Sequence, residues 1–485
     1  MDERSFASAT RLAGEIRDRR IGCLDLLDFY LARAERHNPA LNAIVVRRFE
    51  EARERAGAAD AALGRGEVWG PLHGIPMTIK ESFDLAGLPT TWGNPDWKSN
   101  IAAGNAVLVE RLLAAGAVIY GKTNVPYMLA DSQSFNDVYG TTNNPWDTTR
   151  GPGGSSGGEA AVLAAGLSAL GAGSDIGGSL RNPAHYCGIY AHKPSWGLIP
   201  SRGHAPPGIL TPTDISVVGP MARDPADLDL ALQVLAGPDL LQQPAWRIEL
   251  PPPRHRRLGD FRVAVWTRST LCEIDASVAD RFAAAGAALR RAGAAVDDGA
   301  RPPIGEDAVH HRLYMLLLRA ATASRMSDAD FAAQQSVAAE IGDDDTSSRA
   351  AVARGATLNH RGWGVANEAR SKLRYAWREF FQRFDVLLAP VAATAAFAHD
   401  HNPDRDARMV PVNGKPAPYG AQLFWSGPAS LSYLPATAAP LGLTEAGLPV
   451  GCQIIGAEGE DRTTIEFARL LADRIGGFVP PPGYA

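Results

Sequence analysis

Apolar residues recur every three or four positions through residues 5–19, 24–37 and 48–63, with charged residues between them. That spacing predicts three amphipathic helices at the start of the chain. The pattern then changes. GIPMTIKES (74–82) is a short apolar run with β-branched residues, read as a strand ending in Lys80. Residues 105–115 return to helical spacing, and AVIYGKT (117–123) reads as a strand leaving into a loop. Asn143, Asn144 and Pro145, and then residues 149–154, are turn chemistry. Residues 160–170 predict a helix of small side chains that can lie close against a sheet, and 223–236 predict another helix. The Pro-rich, polar stretch 237–260 is a long connection rather than a domain boundary. Strand-like FRVAVW (261–266), a helix over 276–292 and strand-like AAVDD (294–298) follow. Helical spacing dominates 307–384, interrupted by polar IGDDDTSSR (341–349). VLLAP (386–390) and PVGCQIIG (449–456) read as buried strands, and the charged, Pro-rich segment 400–419 as a loop and flap. Helices between buried strands make this an α/β chain with a covered sheet, and no internal repeat is visible.

Composition narrows the choices. The 485 residues suffice for one large domain or two to three ordinary ones. Hydrophobic residues are 45% and charged residues 21%, as in a folded soluble protein. A net charge of −5 gives no electrostatic argument for nucleic acid or an anionic membrane. No signal-peptide core opens the chain and no apolar run is long enough to span a bilayer, so the expected compartment is the cytoplasm. Cys23, Cys187, Cys272 and Cys452 form no CxxC and read as incidental thiols rather than a metal or disulfide framework.

Three glycine-rich stretches compete for the chemistry. GAVIYGKT (116–123) has the letters of a phosphate loop, but its four central positions are themselves the strand. GAGSDIG (171–177) has the letters of a relaxed dinucleotide fingerprint, but follows a helical run instead of a strand. GPGGSSGGEAA (151–161) sets Ser155 and Ser156 between glycine pairs, and DIGGSLR (175–181) puts Ser179 after another. Gly177 and Gly178 would let backbone N–H groups converge beside Ser179 as an oxyanion hole. On residue chemistry alone, the pair is either a nucleophile and its relay or two tight turns with incidental serines.

The block GPGGSSGGEAAVLAAGLSALGAGSDIGGSLRNPAHYCGIYAHKPSWGLIP resembles the signature block of the amidase signature family. HGIPMTIKES, GKTNVPYM with YGTTNNPWD, and GLPVGCQIIG agree with it. The resemblance is close over 71–225 and looser as far as Gly456. It implies one domain over 1–485: an α/β fold with a mixed, twisted central sheet covered by helices on both faces. Segments 300–360 and 399–433 would be its variable substrate covers. It also implies amide cleavage by a Ser–cis-Ser–Lys triad. Ser179 matches the nucleophile, Ser155 the bridging serine with a cis bond from Gly154, and Lys80 the base. Ile176, Gly177, Gly178 and Ser179 match the oxyanion donors, and Asp175 and Arg181 positions that brace the loop. Ser156 either supports the lysine or makes a backbone turn bond.

A serine hydroxyl needs a base, and lysine serves only when neutral. Lys80 is therefore expected to be buried without a close carboxylate, Glu81 pointing to the opposite face of the strand. The scheme needs no metal, nucleotide or flavin. His185 and His192, close to Ser179 in sequence, are assigned ordinary hydrogen-bonding roles. Tyr127, Met128 and Leu129 resemble the position where family members line the acyl pocket, and Trp425 and Tyr433 are expected at its border. No cluster for a substrate carboxylate is legible beyond single arginines such as Arg202. The implied substrate is a small apolar or aryl amide, ester or carbamate, cleaved by an aryl acylamidase or urethanase working as a monomer or homodimer. The alternative is the glutamine-hydrolysing subunit of a tRNA-dependent amidotransferase. A catalytically dead binding or scaffold protein is a third class, disfavoured because all three triad positions are filled.

Overall fold

The computed structural model describes residues 2–342 and 344–484. The opening periodicity forms α1 (Ala9–Arg17), α2 (Cys23–Leu41) and α3 (Phe49–Gly64). Each buries its apolar stripe, as with Leu12, Ala13 and Ile16 on α1. Ser8 caps α1, its side chain accepting from the Arg11 N–H. Between α2 and α3 lies β1 (Ile44–Arg47), too short for its period to stand out. It belongs to a three-stranded sheet with β2 (Pro76–Lys80) and β3 (Val118–Thr123), in the order β1–β3–β2. β2 and β3 are parallel, and α4 (Val107–Ala114) makes the crossover between them. β4 (Phe135–Asn136) and β5 (Gly140–Thr141) form a small hairpin.

The main sheet is mixed and eight-stranded. Its earlier strands are β6 (Gly171–Asp175), β7 (Tyr190–Lys193), β8 (Val217–Ala222), β9 (Arg262–Val265), β10 (Ala295–Asp297) and β11 (Val386–Pro390). A separate hairpin, β12 (Met409–Val412) and β13 (Lys415–Pro418), precedes the last two, β14 (Ala436–Leu443) and β15 (Pro449–Ile455). The order is β10–β9–β11–β15–β14–β7–β8–β6, with the β10–β9–β11 edge parallel and the other pairings antiparallel. Helices α5 (Gly157–Ala164) and α6 (Arg181–Cys187), then α7 (Pro225–Leu235) and α8 (Ala276–Arg291), flank it. The helical region at 307–384 is α9 (Asp307–Ala323), α10 (Asp328–Glu340), α11 (Ser348–Ala356) and α12 (His360–Arg383). α13 (Leu423–Leu431) and α14 (Asp461–Ile475) complete the chain. No helix among the described residues is long and apolar enough to cross a membrane.

Three expected elements differ. The helix expected at 160–170 ends at Ala164, where Gly166 takes a left-handed φ of 66° and turns the chain toward the sheet. GAGSDIG follows no helix directly; its first five residues are β6 itself. The segment 400–419 is not all loop. Val412-Asn413-Gly414-Lys415 is a tight turn with φ of 51° at Asn413 and 73° at Gly414, and it pairs β12 with β13. Pro411, Pro416 and Pro418 argued against strands here, but a two-stranded ribbon is all edge and tolerates them.

Candidate active site

Every residue of β2 is buried, so its terminal lysine is carried into the interior by its neighbours. Met77 bridges Leu170 in parallel register, which joins the small sheet to the start of β6 and brings Lys80 beside Ser174. Lys80 Nζ donates to Ser155 Oγ at 2.6 Å, across 75 residues of chain, and to Ser174 Oγ at 2.9 Å. Burial lowers its pKa to about 7, against the weaker pull of the Asp175 charge. No carboxylate touches it among the described residues. Glu81 is turned away, accepting from the N–H groups of Thr91 (2.6 Å) and Trp92 (2.9 Å).

The Gly154–Ser155 peptide bond is cis. Gly154 lies against the Asp131 carbonyl, where a Cβ would collide. Ser156 does not reach the lysine: its Oγ bonds the N–H and the carbonyl of Ser174, both at 3.4 Å. The lysine's second hydroxyl is therefore that of Ser174, a residue sequence reasoning passed over. Its one signal is a polar side chain amid the small residues of β6.

The two serine turns are tied directly, the Ser156 N–H donating to the Ser179 carbonyl at 3.2 Å. The Ser155 and Ser179 side chains line one cavity of about 190 Å³. Ser179 Oγ makes no hydrogen bond among the described residues, so the Ser179 side chain must turn toward Ser155 to complete a relay. The backbone N–H groups of Ile176, Gly177 and Ser179 carry no protein acceptor among the described residues. Gly178 departs from the expected set: its N–H is donated to Asp175 Oδ1 at 2.8 Å. It serves the turn instead, with φ at 97° and Ser426 Oγ where a Cβ would stand.

Asp175 and Arg181 hold that turn. Arg181 Nε and Nη2 grip the two Asp175 oxygens at 3.0 and 2.9 Å, and Nη1 reaches Gln453 Oε1 at 2.6 Å on β15. Burial opposes ionisation of Asp175, but the guanidinium prevails and its pKa falls to about 2. The loop is thus anchored to a central strand of the sheet.

A family model described as Amidase matches residues 25–465. This chain belongs to the amidase signature family. An indoleacetamide hydrolase of Bradyrhizobium diazoefficiens is 32% identical over 483 residues, which is 97% of this chain and 86% of the relative. A glutamyl-tRNA(Gln) amidotransferase subunit of Synechococcus sp. is 30% identical over 463 residues, 92% of this chain and 90% of the relative. Among solved structures, a bacterial aryl acylamidase of the amidase signature family has the same fold, with a TM-score of 0.81 at 24% identity over 96% of each chain. The chain is an amidase signature amide hydrolase.

In this amidase Met128 and Leu129 line the cavity, with Ile176, Leu318 and Leu423 as further apolar wall. Tyr127 does not; it is 49% exposed. Trp425 is also misplaced by the sequence reading. It is wholly buried in the core, 5.0 Å from the Trp266 ring, where its size finds more apolar contact. Tyr433 stacks on Trp196 at 4.7 Å, its hydroxyl on Asp214, and is not among the lining residues. Arg202 is engaged by Asp239 at 3.0 Å and Glu110 at 3.5 Å. Lys122 of the phosphate-loop look-alike is turned inward onto the Pro89 carbonyl and Thr90 Oγ1.

His185 bonds backbone groups of Gly451 and Thr394, and His192 lies between Asp461 (3.0 Å) and Thr437 (2.9 Å). The histidine that does line the cavity is His204, packed on Phe83 and Trp92, with Nε2 unpartnered among the described residues. Burial, helped by the nearby Lys80 and Arg325, holds it well below the usual imidazole pKa. His185 and His192 thus make the ordinary hydrogen bonds expected of them, and His204 is the histidine the sequence did not single out. The cavity is also more cationic than expected, with Arg319 and Arg325 in its wall.

Proposed function

We propose that this chain hydrolyses small apolar or aryl amides through an acyl-enzyme on Ser179. The observation that carries the reading is the buried Lys80–Ser155 hydrogen bond of 2.6 Å, made by a lysine without a carboxylate partner. Neutral Lys80 takes the Ser155 proton as Ser155 takes that of Ser179, and Ser179 Oγ attacks the amide carbon. The N–H groups of Ile176, Gly177 and Ser179 receive the oxyanion. The proton returns through Ser155 to the leaving nitrogen as the carbon–nitrogen bond breaks. Water then attacks the acyl-enzyme, releases the acid and restores Ser179. Gly154, Asp175 and Arg181 shape the two turns, Ser174 holds the lysine, and Ser156 bonds the backbone of Ser174 on β6. Esters and carbamates pass through the same kind of tetrahedral intermediate, so both lie within reach of this site.

The apolar wall of Met128, Leu129, Leu318 and Leu423 supports alkyl or aryl groups beside the reacting carbonyl. Glutamine hydrolysis is less well supported. Its ammonium needs a buried free carboxylate, and of the two acids in the wall Asp131 is already engaged by Arg408 and Tyr419 while Asp406 is exposed to solvent. The test is a panel of anilides, aliphatic amides, carbamates, esters and glutamine on the purified chain, with a fluorophosphonate label mapped by mass spectrometry. We expect turnover of anilides or aliphatic amides, no turnover of glutamine, and label on Ser179. Turnover of glutamine alone, or only with a partner protein, overturns the reading; label on Ser155 overturns the assignment of the nucleophile.

A further inference from the structure

The catalytic cavity adjoins a second chamber of about 760 Å³, and the two share Arg319, Ser348, Arg405, Asp406, Tyr419 and Leu423 as wall. Arg319 stands apart in that wall. It projects from α9 with Gly355 of α11 packed against its Cβ. Its Nε is buried without a partner, and its guanidinium makes no hydrogen bond or ion pair among the described residues. Its neighbours are satisfied. Arg405 bonds the Ala130 carbonyl and lies 3.4 Å from Asp131, Arg354 bonds the carbonyls of Gly342 and Asp345, and Arg325 reaches Thr213 Oγ1 at 2.6 Å. Neither acid of the wall pairs with Arg319: Asp131 is held by Arg408 at 2.7 Å, and Asp406 is exposed and makes no ion pair with it. A guanidinium cannot shed its proton, so leaving one desolvated and unpaired carries a real cost. Burial pulls the Arg319 pKa down, as that cost requires.

We propose that Arg319 is an anion subsite, and that the substrate of this amidase carries a carboxylate away from the scissile bond that pairs with this guanidinium while its amide carbonyl lies at Ser179. The planar fork suits a carboxylate, which can take two parallel N–H bonds. Of the two acids in the wall, Asp131 is held by Arg408 and Asp406 stands exposed to solvent, so no buried carboxylate awaits an ammonium, and the substrate class is an amide of an acid without an α-amine. The carboxylate can belong to the acyl part, as in a dicarboxylic acid monoamide, or to the amine part, as in an N-acyl aminobenzoate. This rests on the reading of the Ser179 cavity as the amide site.

The experiment compares glutaric acid monoanilide and N-butyryl-4-aminobenzoate with their uncharged counterparts, pentananilide and butyranilide. Turnover is measured for wild type, Arg319→Gln and Arg319→Lys, and binding by calorimetry to Ser179→Ala with and without the same substitutions. We expect one acid to exceed its neutral counterpart by about 10-fold or more in kcat/KM and in affinity, the size of a charge-assisted hydrogen bond. The ratio should fall toward one in Arg319→Gln and recover in part in Arg319→Lys. Which acid is favoured assigns the side of the substrate. No advantage for either acid in wild type, or an advantage that survives Arg319→Gln, overturns the proposal. Should Arg319→Gln fail to fold, the wild-type ratio and the Arg319→Lys ratio still decide. An affinity advantage without turnover of any amide keeps the subsite and removes the amidase reading instead.

Discussion

At the residue scale the pivotal fact is a lysine made neutral by its surroundings. Lys80 and Lys193 are both buried, and burial lowers both to about 7. Only Lys80 touches serine hydroxyls; Lys193 donates to the carbonyls of Pro194 and Leu434. The reactive form of the base is the deprotonated one. Activity should therefore be low in mild acid, rise through the Lys80 pKa near about 7, and level off above it. Lys80→Ala should lower kcat by on the order of 10²–10⁴-fold and remove that rise. The check is a pH–rate profile of wild type beside Lys80→Ala and the double variant His185→Ala/His192→Ala. Loss of activity in the histidine variant, with rate and profile kept in Lys80→Ala, would refute a lysine base.

At the scale of elements, the site depends on the turn from β6 into α6. Gly178 gives that turn a backbone angle other residues adopt only under strain, in a space closed by Ser426. Asp175 occupies two N–H groups of the turn, those of Gly178 and Leu180, and so leaves the others pointing outward. Gly178→Ala should twist those remaining donors off the oxyanion. A fall of about 10²–10³-fold in kcat is expected, the loss seen when one such donor is removed. Melting temperature and fluorophosphonate labelling rate, measured together, separate a misaimed turn from an unfolded one. A variant with normal kcat would show that the turn's conformation is not what aims the donors.

Across the whole molecule, the small sheet, the large sheet and α5 meet at Glu159. It accepts from Thr78 Oγ1 on β2 at 2.5 Å and Thr123 Oγ1 on β3 at 2.9 Å. Burial raises its pKa to about 8, although both hydroxyls oppose this. The unfolded chain loses this proton near the ordinary carboxylate pKa, whereas the folded chain keeps it. The fold therefore loses stability as pH rises from the unfolded value toward the folded one. Glu159→Gln keeps the shape without the charge. Its melting temperature should fall less than that of wild type between about pH 5 and pH 8. Equal slopes for the two proteins would mean that Glu159 ionises freely in the fold.

Local chemistry made much of this legible beforehand. The buried strands ending at Lys80 and running through 386–390 and 449–456 are continuous apolar runs. The glycine pairs around Ser155 and Ser179 mark backbone that must turn tightly, and that demand is written in the residues themselves. β1 and β7, of four residues each, are too short to show a period, and the eight residues of β14 are mostly Ala, Pro and Gly, which carry no alternation. Other properties exist only between distant parts of the chain. Ser174 rather than Ser156 meets the lysine because β2 joins β6 in one register. Trp425 sits in the core because Trp266 and Phe424 enclose it. Arg319 is left unpaired because Arg408 and Tyr419 hold Asp131 and the exposed Asp406 makes no ion pair with it. Residue types and local turns thus determined which groups are present. Burial and partner choice, which depend on segments hundreds of positions away, decided which of them are neutral, free or aimed at the cavity.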